Sequence, residues 1–293
     1  MMEDLTKEKQ IWELEHFALK IRRRTLEELH NLGAGHLGGC MSMVELLAAL
    51  YGGVLRVDPQ NPQWEDRDRL VVSKGHAGPA VYAALALKGF FPLEMLNTLN
   101  RPGTRLPSHM DAGKTPGVDM TTGSLGQGVS AGVGIALANR IKGKNVHVYI
   151  IAGDGECDEG QVWEAILFAA AQKLDNVTLL IDRNHYQLDG GTEEVLELGS
   201  LEEKLRAFGW NAVSVADGHD VGLIYQTLLE ARLLYKDGPT AIVVDTVKGK
   251  GYPAAMHAPN HHMFITDEDF HEAMRELDEE ERRILKRGGQ NNV

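Results

Sequence analysis

Two short apolar runs, residues 146–152 (VHVYIIA) and 177–182 (VTLLID), are rich in branched side chains and too short for helices, so each reads as a buried strand. Between them, residues 161–173 place Val162, Ile166, Ala169 and Ala170 on one helical face, which completes a strand–helix–strand unit. The same periodicities predict further strands at 69–73, 212–215 and 241–246, and helices at 77–88, 129–141, 201–208 and 221–234. Residues 7–31 read as a long amphipathic helix, interrupted by the glycine-rich stretch 33–39. Residues 42–51 (SMVELLAALY) predict a second helix, with Ser42 as its N-cap and Glu45 at its third position. Four prolines, at 92, 102, 107 and 116, mark residues 90–118 as mostly loop. Beyond Asp267 the chain becomes strongly charged (DEEERRILKR), which predicts a solvated helix and a frayed end. The alternation implies an α/β fold, a three-layer doubly wound and mostly parallel sheet with an N-terminal helical elaboration. One domain is expected over residues 1–275, with a charged, frayed tail at 276–293.

A crossover unit puts the C-terminal ends of both strands on one edge of a parallel sheet, where ligands of open α/β sheets gather. Asp154 follows the first run in a Gly-Asp-Gly turn, and Asn184 follows the second, so the two are expected to meet at that edge. One carboxylate, one amide oxygen and a backbone carbonyl make a hard oxygen site of the kind Mg²⁺ prefers, its shell completed by phosphate oxygens and water. Gly153 and Gly155 let backbone approach closely at the turn. Four histidines lie in glycine- or proline-rich segments predicted to share the edge: His36 in GAGHLGG, His76 in SKGHAG, His109 in PSHMDAG and His261 in PNHHM. Imidazole can donate, accept and change charge near neutral pH, which suits proton transfer and the recognition of sugar hydroxyls and phosphates.

Composition narrows the classes. A chain of 293 residues, 43% hydrophobic and 25% charged, can bury a large core. Its net charge of −12 argues against nucleic acid or an anionic membrane surface as the main partner. Any phosphate must therefore be held by local groups. No apolar run approaches membrane-spanning length and no signal-peptide core is visible. Two cysteines, Cys40 and Cys157, make no disulfide framework, so a cytoplasmic location is expected.

The segment from Gly153 to Gly190 resembles the thiamine-diphosphate motif, which begins with GDG and ends in Asn. Its finer text, GDGE-x-x-EGQ-x-WEA followed by D-x-N-x-x-x-x-DG, resembles transketolases, and most of all the separate N-terminal subunit of split bacterial transketolases. The resemblance runs from about His36 to His261. It implies thiamine diphosphate and Mg²⁺ as cofactors, with Ca²⁺ or Mn²⁺ able to replace the metal. Asp154, Asn184 and the Tyr186 carbonyl would hold the ion, and Gly155 and Asn184 would meet the cofactor. His76, in SKGHA, matches the histidine that contacts the diphosphate. Gly123, Ser124 and Leu125, in TTGSLGQG, match the stretch binding the aminopyrimidine. His36 and His109 match histidines that meet substrate, although Leu37 replaces the family's usual proline. His261 falls at the family's WHG histidine, with His262 or His257 as substitutes. Lys248, in KGKG, matches a lysine near the cofactor, while Glu159 and Glu164 match acidic residues that link paired active sites; Glu159 and His261 are also implied to meet the cofactor.

The implied activity is transfer of a two-carbon ketol unit from a ketose phosphate to an aldose. The family's activating glutamate lies on a pyrimidine-binding half that this sequence does not include. The resemblance therefore implies a C-terminal partner subunit in an α2β2 heterotetramer, with the isolated chain inactive. Pentose-phosphate sugars or a specialised catabolic ketose are the candidate substrates. Rival readings have less text behind them. Gly126-x-Gly128-x-x-Ala131 fits a dinucleotide fingerprint, yet no strand precedes it and no Asp or Glu lies between Gly126 and Gly153. A zinc hydrolase on His257, His261 and His262 lacks an HExxH helix. Subunits of the 2-oxo acid dehydrogenase or deoxyxylulose-phosphate-synthase type, and a non-catalytic cofactor-binding module, complete the alternatives.

Overall fold

A computed structural model describes residues 2–188, 190–256 and 261–290. The chain opens with α1 (Met2–Leu32), a short strand β1 (Ala34–Gly35) and helices α2 (Leu37–Met41) and α3 (Val44–Ala49), the last widened into a π-type turn through Val54. Five strands then build the central sheet: β2 (Arg69–Val72), β3 (Val148–Gly153), β4 (Val177–Arg183), β5 (Asn211–Val215) and β6 (Thr240–Asp245). Between β2 and β3 run α4 (Gly78–Lys88) and α5 (Gln127–Ile141), and between β3 and β4 runs α6 (Gly160–Ala171). Next come α7 (Thr192–Val195) and α8 (Leu201–Ala207) before β5, and α9 (Val221–Leu234) before β6. The described chain ends with α10 (Pro253–Met256), β7 (Met263–Phe264) and α11 (Asp267–Gln290).

The sheet is parallel throughout, in the order β2-β3-β4-β6-β5. Alternation along each strand divides its side chains between two cores. On β3, Tyr149 and Ile151 face the layer of α1, α3, α4 and α9, whereas Val148, Ile150 and Ala152 face α5, α6 and α8. Helices on both faces explain why the strands read as near-continuous apolar runs. The expected strands and long helices are all present, with ends displaced by at most two residues except at the start of α1, which begins at Met2 rather than residue 7. The β3–β4 register pairs Gly153 with Asp182, which delivers the residues just beyond each strand to one edge.

Three expectations need correction. Ser42 does not N-cap α3: Met43 occupies that position, while Ser42 closes α2 and its buried hydroxyl donates to Asp182 Oδ2 at 2.6 Å. A hydroxyl recruited by a buried carboxylate is not free to cap. The stretch 33–39 is likewise not a plain interruption, because β1 pairs antiparallel with β7 and α2 begins at Leu37. Finally, the segment from 276 to 288 is not a frayed tail. It continues α11, whose Ala273, Leu277 and Ile284 are buried, with Trp12 Nε1 donating to the Ile284 carbonyl at 2.8 Å and Arg287 paired with Glu15 at 2.8 Å. Those apolar side chains recur at helical spacing, so one face docks on α1 while the charged face meets solvent.

Candidate active site

β3 ends at Gly153 and the chain turns at once, with Asp154 Oδ1 accepting the Gly155 N–H at 3.0 Å. Asp154 Oδ2 accepts the His185 N–H at 2.7 Å from the loop beyond β4, and the Thr192 hydroxyl at 3.4 Å. In that loop, Asn184 donates through Nδ2 to Asp182 at 3.3 Å and accepts the Tyr186 N–H through Oδ1 at 3.2 Å. The two motif residues therefore share the strand-end edge, linked through His185.

Burial, and then the charge of Asp182, push the Asp154 carboxyl up to about 6 against the N–H groups of His185 and Gly155. Asp182 goes the other way. Burial would raise it, but the Lys74 ammonium and the Lys74, Ser42 and Thr246 hydrogen bonds hold it below the usual carboxylate range. Asp154 thus has no cation of its own among the described residues, while its neighbour is fully paired. The Asp154 carboxylate, the Asn184 amide oxygen and the Tyr186 carbonyl make a donor set that fits Mg²⁺, which would relieve the buried charge.

Glu156 joins three loops here. It accepts the Ser73 hydroxyl, the Gly126 N–H at 2.8 Å and the Gly153 N–H at 3.1 Å, and so binds SKGH and TTGSLGQG to the GDG turn. Gly75 lets the first two touch: a Cβ there would lie 2.5 Å from the Thr122 backbone. Ser73, Lys74, Glu156 and Asp182 were not singled out from sequence. All four stand inside or beside the quoted motifs, where a buried polar residue is the available signal.

The histidine loops converge. The His36 ring centroid lies 5.4 Å from His76, 5.5 Å from His109, 4.9 Å from His261 and 5.0 Å from His262, and His76 is 4.9 Å from His261. No carboxylate hydrogen bonds to these rings among the described residues. Burial, then neighbouring positive groups, pull His36 down to about 4 and His76 down to about 2, and His261 is lowered for the same reasons. The three rings are neutral at pH 7 and can accept a proton or share one with a hydroxyl. His257 lies outside the described residues. No group of three His, Cys, Asp or Glu side chains among the described residues is arranged to hold a metal.

A cavity of about 160 Å³ opens between the turn and the histidines, lined by Asp154, Gly155, Asn184, Tyr186, His76, His261, Leu125 and Lys248 among others. Lys248 Nζ donates to the Tyr186 carbonyl at 3.4 Å, and burial with the nearby Lys74 charge lowers it to about 8. Gly123 lies beside His109, while Ser124 is exposed at the approach to α5. Gly123, Ser124 and Glu159 do not line the cavity, and Glu159 is exposed at the start of α6, where the chain has already turned away from the strand ends. Glu164 is exposed on α6 as well. A larger cavity of about 440 Å³ lies between α1 and α11, but it holds neither the GDG turn nor the histidines. Gly126 and Gly128 do open α5, though from a loop rather than a strand, so no dinucleotide crevice forms.

The profile of the family described as "Transketolase, thiamine diphosphate binding domain" matches residues 15–280. The chain is 51% identical to the "6-deoxy-6-sulfo-D-fructose transketolase subunit SqwG" of Clostridium sp. (strain MSTE9), covering 92% of this chain and 97% of that protein. It is 38% identical to one of the subunits of the apulose-4-phosphate transketolase of Phocaeicola vulgatus, over 97% and 99% of the two. Among solved structures, transketolase from Campylobacter jejuni superposes with a TM-score of 0.83 at 28% identity, over 92% of this chain and 43% of that one. Transketolase from Pichia stipitis, solved with a sedoheptulose phosphate, gives 0.83 at 27%, over 96% and 46%.

A parallel sheet with this order, an acid–amide pair at its strand ends and neutral histidines above them, defines a thiamine-diphosphate-binding fold. The chain belongs to the transketolase family, a family of transferases. The two relatives named as transketolase subunits match it over nearly their whole length, whereas the solved transketolases are about twice as long.

Proposed function

We propose that this chain is the diphosphate-binding subunit of a Mg²⁺-dependent, two-subunit transketolase, working with a pyrimidine-binding partner in a heterotetramer. The observation that carries the reading is the shared cavity, with Asp154 and Asn184 on one side and the histidine cluster on the other. The cavity rim supports a covering partner. Leu125 is 37% exposed and Leu188 63%, apolar surface that an isolated chain leaves in water.

Thiamine diphosphate, when bound, supplies the electron sink that lets a carbon–carbon bond beside a ketone break. The chain's own residues do the rest on this side. Asp154, Asn184 and the Tyr186 carbonyl hold the ion, while Lys248 and His76 face the diphosphate. Gly123, Ser124 and Leu125 bound the ring-binding side. His36, His109 and His261 orient the sugar hydroxyls, and a neutral imidazole takes the hydroxyl proton as the bond breaks.

Identity with the sulfofructose transketolase subunit over nearly the whole chain makes 6-deoxy-6-sulfo-D-fructose the first donor to test. Pentose phosphates and apulose 4-phosphate are the alternatives. The experiment is reconstitution with the pyrimidine-binding partner, followed by assay of ketol transfer from each ketose. Activity should require both subunits, thiamine diphosphate and a divalent cation, with the sulfonated ketose giving the highest kcat/KM. Turnover by this chain alone, or none from the pair with any ketose, would reject the proposal.

A further inference from the structure

Lys248 is buried on the loop after β6 and reaches the Tyr186 carbonyl from outside the strand ends. The backbone around it is gripped from behind by two side chains, braced by a third, that belong to none of the cofactor motifs. His219 Nε2 accepts the Val247 N–H at 2.9 Å, one residue before Lys248. Arg22 donates to the Lys250 carbonyl two residues after it, and to the Met41 carbonyl at the end of α2 at 2.9 Å. Glu45 joins the two, one oxygen paired with Arg22 and the other 3.0 Å from His219 Nδ1.

We infer that Arg22, Glu45 and His219 form a positioning triad that sets the path of residues 247–251 and thereby aims Lys248 into the cofactor cavity. The inference rests on the proposed role of Lys248 in cofactor binding. Its chemistry follows from the donors. A backbone N–H can only donate, so His219 Nε2 must carry a lone pair, and the ring proton sits on Nδ1 facing Glu45. Glu45 selects that tautomer. Burial raises its carboxyl, but Arg22 and His219 outweigh burial and hold it below the usual range, so it remains an acceptor at neutral pH.

The packing leaves the loop little choice. Gly251 has φ +84°, and a Cβ there would lie 2.6 Å from Arg22 Cδ. The Gly249 N–H donates to the Gly38 carbonyl at 3.1 Å, which ties the loop to the segment carrying His36. The grip thus comes from α1, from α3 and from the turn before α9, elements distant in sequence from the lysine they aim.

His219→Leu removes the acceptor for Val247, whereas His219→Gln keeps one. In the reconstituted pair, His219→Leu should weaken thiamine diphosphate binding about tenfold and speed exchange of the Val247 amide, with His219→Gln recovering most of both. In a Lys248→Ala background the His219→Leu effect on cofactor affinity should vanish, because the triad acts through that side chain. Nitrogen spectra of the histidine-labelled chain read the tautomer without any cofactor. Nε2 should be unprotonated in the wild type and protonated in Glu45→Gln, whose amide can donate to Nδ1. Should thiamine diphosphate bind neither wild type nor variants, the proposed function fails, and the spectrum still decides the triad. A protonated wild-type Nε2, equal losses in the Leu and Gln variants, or a full His219→Leu effect without Lys248 would each overturn it.

Discussion

Asp68 and Asp154 are buried aspartates at opposite ends of the same sheet, 0% and 3% exposed, and they are treated in opposite ways. Asp68, just before β2, accepts the Arg56 guanidinium at 2.8 and 3.2 Å and the N–H groups of Arg56 and His147 at 3.0 Å each. Arg232 adds a further cation at 3.7 Å. Asp154, just after β3, receives backbone N–H groups and one hydroxyl. One carboxyl is therefore held below its ordinary range and the other above it. Burial is shared, so the difference lies in the counter-charge. A closed ion cluster stabilises the fold, while an open carboxylate keeps an unsatisfied interaction for a ligand to complete.

Exchanging each for alanine should separate these roles most widely. Asp154→Ala should abolish Mg²⁺-dependent binding of thiamine diphosphate and with it the activity of the reconstituted pair, at a smaller cost in melting temperature, because the N–H groups it strands are offset by removal of an unpaired buried carboxylate. Asp68→Ala should instead lower stability by about 3 kcal/mol, because it strands two buried N–H groups and a guanidinium. Folded Asp68→Ala protein should bind the cofactor normally. Calorimetric titration and thermal melting measure both. Normal cofactor affinity in Asp154→Ala, or a larger stability loss there than in Asp68→Ala, would erase the contrast.

A finer division runs through the functional end itself. His109 joins the histidine cluster but does not line the cavity beside Asp154, whereas His76 does. His109→Ala should slow turnover by roughly 100-fold, the usual contribution of a placed proton-transfer group, with cofactor affinity changed little. A wild-type rate removes its proposed role, and a matching loss of cofactor affinity would move it to the diphosphate side.

The sequence was most informative where a period or a motif is local. The strands β3 and β4 and helix α6 were legible because branched runs and helical spacing act within a few residues, and the crossover rule then placed Asp154 and Asn184 together. The histidine cluster was legible for the same reason, each ring lying in a loop that follows or faces a strand end. What stayed hidden depends on partners far along the chain. Ser42 reads as a cap until Asp182, 140 residues away, claims its hydroxyl. Arg22, Glu45 and His219 sit on unremarkable helical and turn positions, and only the fold brings them behind Lys248. Helix α11 is an instructive middle case, since Leu277 and Ile284 carried the docking signal within a segment whose charge suggested solvent alone.

The smallest expected effect concerns acid. Burial on its own would raise the Asp68 carboxyl, but the Arg56 side chain and the N–H groups of Arg56 and His147 outweigh it and hold the folded value below the ordinary 3.8. A group whose folded value is depressed takes up protons more readily when unfolded. Its stabilisation is therefore complete above pH 3.8 and fades as pH falls through the lower, folded value. Asp68→Asn keeps the shape but has no charge to lose. The variant should be less stable at pH 7 by about 1–2 kcal/mol, and the gap to the wild type should narrow as pH falls below about 4. Denaturant unfolding across that range measures it. A gap that stays constant with pH would mean that Asp68 acts through its hydrogen bonds alone, and the opposition between a closed and an open carboxylate would lose its electrostatic half.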